Sequence, residues 1–131
     1  MPGPRPDPSK PYSKHRPGAR ALVVLPAAGC ELPAPRLPAG RKWTAGERRM
    51  WRDLWSSPQA TQWDESAASV VAVYIAHVTA VLGGSAAAWQ AAEARHLSDR
   101  LGLTPQGLTA LGWRIADPGE VAHVTPLRAA Q

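Results

Sequence analysis

Apolar residues recur at helical spacing through the middle of this chain, and they predict two helices, residues 65–82 and residues 86–101. Asp64 and Ser85 are predicted to cap their N-termini, because side-chain oxygens of these residue types accept hydrogen bonds from the unpaired N–H groups of a first helical turn. The glycines at 83–84 allow the positive φ at which the chain can reverse between the helices. The pattern therefore predicts an antiparallel helical hairpin, around which we expect the rest of the chain to pack.

The first helix of this hairpin is apolar around more than half of its circumference. One side carries Val70, Val71, Tyr74, Val78, Val81 and Leu82. Val73 and Ile75 lie off that side, so the helix needs burial on two sides. Two interpretations remain open: a central helix buried wholly within this chain, or a helix that a second subunit covers on one side.

The second helix of the hairpin is rich in Ala, which permits close approach between helices, and Trp89 is expected to fill a large gap. If a second subunit covers the hairpin, we expect a homo-oligomer interface with residues from both helices. These residues are Val70, Val73, Tyr74, His77, Val81 and Trp89.

A shorter, Trp-rich helix is predicted before the hairpin. Thr44 and Glu47 fit a capping box, in which each side chain bonds the backbone N–H of the other residue, and Ser57-Pro58 ends the helix. Four of the six Trp residues (43, 51, 55 and 63) lie in this part of the chain. They could stack on nucleic-acid bases, but Trp at helical spacing in a chain without Phe is better explained as core.

One more short helix is predicted after the hairpin. Gly102 is suited to the end of the preceding helix, while Thr104 and Pro105 are suited to the N-cap and first position of a helix that runs to about residue 113. The two helices around this turn could be described as a helix-turn-helix. Gly107 and Gly112 argue against a DNA-recognition role, because they weaken the second helix.

Charge and Pro content divide the 131 residues into three parts. Residues 1–42 carry eight Lys or Arg against two acidic residues and hold ten of the fourteen Pro, which predicts a disordered basic arm and spacer. Within them, residues 22–25 are either a short strand or an extended anchor. Residues 43–115 are predicted to form a helical oligomerisation and core domain, and residues 116–131 a flexible tail. The expected fold class is all-α: a Trp-rich helix, a central hairpin and a short C-terminal helix.

Recognisable catalytic and metal-binding motifs are missing from the sequence. The four His residues (15, 77, 96 and 123) are scattered, and Cys30 is the only Cys, which excludes an intrachain disulfide and a multi-Cys zinc site. We therefore predict a protein without enzymatic activity, metal or cofactor. There is no run of ~18 apolar residues for a membrane span, and the apolar run before Pro26 is shorter than the ~7–15 residues of a secretion signal. The expected compartment is the cytoplasm.

Three short segments are distinctive. Residues 51–63 read Trp-x-x-Leu-Trp-Ser-Ser-Pro-Gln-Ala-x-x-Trp, residues 101–105 read Leu-Gly-Leu-Thr-Pro, and residues 111–115 read Leu-Gly-Trp-Arg-Ile. Preceded by a basic arm and a Pro-Ala-Pro spacer, this order resembles the small terminase subunits of tailed bacteriophages. The final helix departs from the family pattern, because it lacks the basic residues usual in relatives.

The resemblance implies a helical, ring-forming component of viral DNA packaging that has no catalytic activity of its own. Such a protein is expected to bind double-stranded phage DNA, and to recruit and regulate a large terminase subunit, an ATPase and nuclease, in the cytoplasm of the infected bacterial host. The expected DNA contacts are Lys10, Lys14, Arg16, Arg20, Arg41, Lys42, Arg48, Arg49 and Arg52. Two alternatives remain open: a structural head–tail adaptor and a small dimeric DNA-binding regulator.

Overall fold

The computed structural model describes Gly3 and residues 22–128. In chain order the elements are β1 (Val23–Leu25), α1 (Ala45–Trp55), a 3₁₀ helix (Pro58–Gln62), α2 (Ala67–Leu82), α3 (Ala88–Arg100), α4 (Pro105–Leu111) and β2 (Trp113–Ile115). The predicted all-α class is confirmed, since the sheet in the described part of the chain is only the parallel pair β1–β2. Helix α2 packs against both α1 and α3, so the predicted hairpin is present.

Indole rings form the centre of the core. Trp55 is fully buried, and Trp51 and Trp63 are each only 3% exposed. The ring centroid of Trp55 lies 5.6 Å from that of Trp51 and 5.2 Å from that of Trp63 in tilted and edge-on arrangements, which aromatic quadrupoles favour. Val71 and Ile75 of α2 pack onto these three residues, which we call the Trp cluster. The prediction that these Trp side chains are core is confirmed.

The Pro-rich spacer, residues 29–40, runs along α1 in the opposite direction to the helix. Three hydrogen bonds hold it there: Cys30 N–H to Ser56 O at 3.0 Å, the Trp51 indole to Pro35 O at 2.7 Å, and the Trp43 indole to Pro38 O at 3.0 Å. The spacer begins at Gly29, which has a φ of 87°, and a Cβ there would collide with the Ser56 carbonyl oxygen. Only Gly fits both requirements at this position.

Helix α1 begins as predicted. The Thr44 hydroxyl accepts a hydrogen bond from the Glu47 N–H at 3.1 Å, and a Glu47 carboxylate oxygen accepts one from the Thr44 N–H at 3.0 Å. The capping box is therefore complete, and it satisfies two backbone donors at the start of the helix.

The predicted caps of the hairpin helices are wrong. Helix α2 begins at Ala67, because Asp64 accepts the N–H of Ser66 at 2.9 Å and closes a separate turn. The hydrogen bonds from the Ser66 hydroxyl and N–H lower the pKa of Asp64 below its ordinary value. Helix α3 begins at Ala88 rather than after Ser85, and the Gln90 side chain accepts the N–H of the cap residue Ala87 at 3.0 Å. The side chains of the actual cap residues, Ser66 for α2 and Ala87 for α3, accept no hydrogen bond from the first helical turn.

The C-terminal helix has the predicted start and a different end. The Thr104 hydroxyl accepts the Gly107 N–H at 2.9 Å, and Pro105 occupies the first turn. The helix ends at Leu111 rather than near residue 113, because Gly112 adopts a left-handed conformation with a φ of 74°. Residues 113–115 then leave the helix and form β2, which pairs with β1 in the register Val23–Trp113 to Leu25–Ile115. Of the two interpretations of residues 22–25, the strand is correct.

The two most distinctive sequence segments meet in space. The buried Gln59 side chain donates to the Gly102 carbonyl at 2.9 Å, and the Trp63 indole donates to the Leu101 carbonyl at 3.2 Å. The Trp/Ser-Pro segment therefore holds the turn between α3 and α4. Gly107 lets α4 approach the end of α3, since a Cβ there would collide with the backbone of Asp99.

Residues 116–128 lack helix and strand, yet they are attached to the core at both ends. The Ala116 N–H donates to the Leu25 carbonyl at 2.8 Å, and the Leu127 N–H donates to the Thr61 carbonyl at 3.0 Å. Arg128 is only 6% exposed, and its guanidinium lies 4.6 Å from the centroid of Trp55 and donates to the Pro33 carbonyl at 2.9 Å. Flexibility of the tail stays a prediction, and nothing in the sequence indicates this attachment.

Candidate nucleic-acid and oligomer interfaces

The predicted DNA-binding residues divide into two groups. Lys10, Lys14, Arg16 and Arg20 lie outside the described residues. The other five, Arg41, Lys42, Arg48, Arg49 and Arg52, lie on α1 or just before it, and all five are exposed. These five side chains lie in three different environments.

Arg41 is committed to the start of α1. Its Nη2 lies 2.7 Å from a carboxylate oxygen of Glu47, whose side chain is only 2% exposed, and its guanidinium lies 4.2 Å from the ring centroid of Trp43. The same Glu47 carboxylate completes the capping box. Removal of Arg41 would leave a buried charge without its ionic partner, so this residue supports the structure whether or not it contacts DNA.

Arg48 and Arg52 lie four residues apart and share one side of α1. Together with Arg36 from the spacer they line an open groove of about 530 Å³, which we call the α1 groove. Its apolar lining includes Leu32, Leu37 and Trp51. None of the three arginines has a hydrogen-bond or ion-pair partner among the described residues, and no carboxylate lines the groove.

Lys42 and Arg49 lie outside the α1 groove and are exposed. Neither has a side-chain partner in the part of the chain that the structure describes. Arg49 precedes Asp53 by one helical turn, so its charge is partly offset by a nearby carboxylate. Arg36 lies in the spacer rather than on a helix, so no carboxylate lies one helical turn from it. It is missing from the predicted DNA contacts because it lies between prolines.

The predicted oligomer residues include a patch of exposed apolar surface on the hairpin. Val70 is 36% exposed, Val73 is 47% exposed and Trp89 is 61% exposed. Val70, Val73 and His77 have the i, i+3, i+7 spacing of one helix face, and the His77 ring lies 5.5 Å from that of Trp89, edge-on. We call these four residues the hairpin patch. Trp89 therefore covers His77 instead of filling a gap in the core.

Tyr74 and Val81, the other two predicted interface residues, are only partly exposed. Partial burial raises the pKa of Tyr74 above its ordinary value. The side of α2 that enters the core consists of Val71, Ala72 and Ile75. Ile75, which the sequence pattern placed off the main apolar side, is in fact fully buried, so the core-facing side is rotated from the predicted one.

The side chains give few signs of chemistry. Within residues 22–128 no three His, Cys, Asp or Glu side chains gather as they would around a metal ion. No helix in the described ranges is both long and apolar enough to cross a membrane. The Nδ1 atom of His77 is buried and has no hydrogen-bond partner among the described residues.

A family model described as phage terminase small subunit matches residues 1–128 of the chain. The chain belongs to this family. Membership confirms the resemblance drawn from the Trp/Ser-Pro and Leu-Gly-Leu-Thr-Pro segments and assigns this terminase small subunit to viral DNA packaging. No curated protein and no solved structure matches the chain.

Proposed function

We propose that this terminase small subunit assembles into a homo-oligomer, binds the backbone of double-stranded phage DNA and recruits the large terminase subunit. The observation that carries the proposal is the coexistence of unpaired arginines on α1 and exposed apolar residues on the hairpin, in a member of this family. The protein contributes binding surfaces, and the ATPase and nuclease activities belong to the large subunit. All of this takes place in the cytoplasm of the infected bacterium.

The hairpin patch supports the oligomer. Helix α2 carries no Asp, Glu, Lys or Arg along its sixteen residues. Only Val71, Ala72 and Ile75 are buried in the core, so much of the uncharged surface of the helix lies outside it. Exposed Val73 and Trp89 are removed from water when a second copy covers them, and burial of apolar area is the main favourable term in association.

The basic side of α1 supports DNA binding. Lys42, Arg48, Arg49 and Arg52 are exposed and lack a carboxylate partner within hydrogen-bonding distance among the described residues. Neutralisation of phosphates by such side chains releases counterions and gives affinity without sequence preference. The basic residues before position 21 add to the same electrostatic attraction.

The native mass of the nuclease-treated protein, measured by light scattering at moderate salt, tests the oligomer. A particle of several subunits is the expected result. A monomer at all concentrations would contradict the proposed assembly, and a dimer would favour the alternative of a small DNA-binding regulator.

DNA affinity as a function of salt tests the basic surface. Simultaneous replacement of Arg48, Arg49 and Arg52 by Ala should weaken binding and reduce the slope of log K against log salt by about 0.9 for each phosphate that the variant no longer neutralises. Unchanged affinity and slope between about 50 and 200 mM salt would remove this surface from the DNA interface. An oligomer that binds no DNA would favour the head–tail adaptor.

A further inference from the structure

The α1 groove has a construction that DNA binding does not explain. Its two sides are a spacer segment and a helix, and the Trp51 and Trp43 indoles hold them together through hydrogen bonds to Pro35 and Pro38. The sides are therefore fixed before any ligand arrives, which lowers the entropic cost of binding.

The lining of the groove combines two kinds of surface. Arg36, Arg48 and Arg52 supply positive charge from both sides, whereas Leu32 and Leu37 add half-buried apolar surface from the spacer side. Phosphate contacts on duplex DNA require positive charge but no apolar pocket. A peptide that carries both carboxylates and apolar side chains matches the two kinds of surface at once.

Other segments of this chain do not match the groove. Residues 1–21 carry Arg5, Lys10, Lys14, Arg16 and Arg20 against Asp7 alone, so their net charge repels the three arginines. In the tail, the Glu120 carboxylate is already bound by both terminal nitrogens of Arg114, at 3.1 and 2.7 Å. Neither flanking segment therefore supplies the complementary charge, which favours a different protein as its source.

We propose that the α1 groove binds an acidic peptide segment with apolar side chains, supplied by the large terminase subunit. Carboxylates of the segment accept hydrogen bonds from Arg36, Arg48 and Arg52, and its apolar side chains contact Leu32 and Leu37. The peptide chemistry follows from the groove itself, while the identity of the partner rests on the proposed function.

The test uses the full chain and a fluorescent synthetic peptide in which Asp and Leu alternate, with a Lys/Leu peptide as the charge-reversed control. Fluorescence polarisation should show binding of the acidic peptide only. Arg36→Ala should weaken this binding about tenfold, which is the effect expected for removal of one charge-assisted hydrogen bond. Equal binding of the two peptides, or no effect of Arg36→Ala, would overturn the proposal.

Arg49→Ala is the matched control, because Arg49 lies on the same helix outside the groove. It should leave peptide binding unchanged and weaken DNA binding, whereas Arg36→Ala should have the opposite pattern. If Arg36→Ala weakens DNA binding as much as it weakens peptide binding, the proposal is overturned in favour of a nucleic-acid groove.

The outcomes also separate this proposal from the proposed function. Peptide binding that depends on Arg36, in a protein that shows no affinity for DNA, would support the groove and contradict the DNA-binding function. Capture of the purified large subunit by the wild-type chain but not by Arg36→Ala would identify the partner. Equal capture by both proteins would contradict docking of the large subunit in the groove.

Discussion

The Trp cluster and the hairpin are both apolar in sequence, but they use their apolar residues in opposite ways. Trp51, Trp55 and Trp63 are almost completely buried, and two of their three indole N–H groups donate to backbone carbonyls. In the hairpin, by contrast, Val73 and Trp89 remain about half exposed or more. Within this one chain, the Trp cluster is covered by other residues of the subunit, whereas Val73 and Trp89 are not.

The difference shows that an apolar pattern alone does not distinguish a core from an interface. The Trp cluster is enclosed by three further segments, the spacer, the 3₁₀ helix and α2, which pack around it. Val73 and Trp89 of the hairpin patch, by contrast, are not covered by another segment of the described chain. A surface that lacks a covering segment is available for a second subunit, which is why the two regions should respond differently to the same kind of substitution.

The largest difference is expected between two Trp→Ala substitutions. Trp55→Ala should lower the free energy of unfolding by about 3–5 kcal/mol, because it removes a fully buried ring and leaves a cavity. Trp89→Ala should change the intrinsic stability of the subunit far less, because its ring is 61% exposed. Urea unfolding followed by circular dichroism at several protein concentrations measures both effects. Equal destabilisation would show that the hairpin patch is as important to the subunit core as the Trp cluster.

Val73→Asp tests the second region directly. A charge at this position should disrupt the oligomer, because an unpaired carboxylate would be buried at the subunit contact, while the helical circular dichroism of the subunit is retained. Val71→Asp is the matched control: that side chain is fully buried, so the same charge should unfold the subunit. An oligomer of unchanged mass in Val73→Asp would rule out this face as the interface.

Much of the fold could be predicted from local signals. The capping box of Thr44 and Glu47, and the Thr104-Pro105 start of α4, depend on residues within one helical turn, and both are confirmed. The predicted caps at Asp64 and Ser85 are wrong because Ser and Asp close turns as readily as they cap helices. Strand β2 is not predicted because three residues carry no periodicity, and its partner lies about ninety residues earlier.

The candidate site depends more on tertiary contacts than the helices do. Arg48 and Arg52 could be placed on one helix face from their spacing alone. Their association with Arg36 depends on how the spacer lies along α1, which is decided by the hydrogen bonds of two indoles to Pro35 and Pro38. No local pattern encodes such a pairing. The burial of Arg128 against Trp55 could not be predicted for the same reason.

Arg128 tests whether the tail belongs to the Trp cluster. Arg128→Ala should lower the free energy of unfolding by about 1–3 kcal/mol, since it removes the contact with Trp55 and leaves the Pro33 carbonyl without its donor. Arg95→Ala, at an exposed position on α3, is the control and should stay within about 0.5 kcal/mol of wild type. Urea unfolding again provides the measurement. A negligible effect of Arg128→Ala would mean that residues beyond the core add no stability to the cluster.

The smallest effect concerns how the helices begin. Helix α1 has a complete capping box, whereas the cap residue of α3, Ala87, offers no side-chain acceptor although its φ of −71° and ψ of 157° are suitable for one. Ala87→Ser should therefore stabilise the hairpin by about 0.5–1 kcal/mol, as a new hydroxyl accepts an N–H of the first turn. Thr44→Ala should cost a similar amount at α1. The Gln90 side chain accepts the N–H of Ala87 itself, so it does not occupy the N–H groups that would donate to a serine hydroxyl at this position. If Ala87→Ser gains nothing while Thr44→Ala is destabilising, water already satisfies the first-turn N–H groups of α3, whose first residues are exposed, and a side-chain cap matters only at α1.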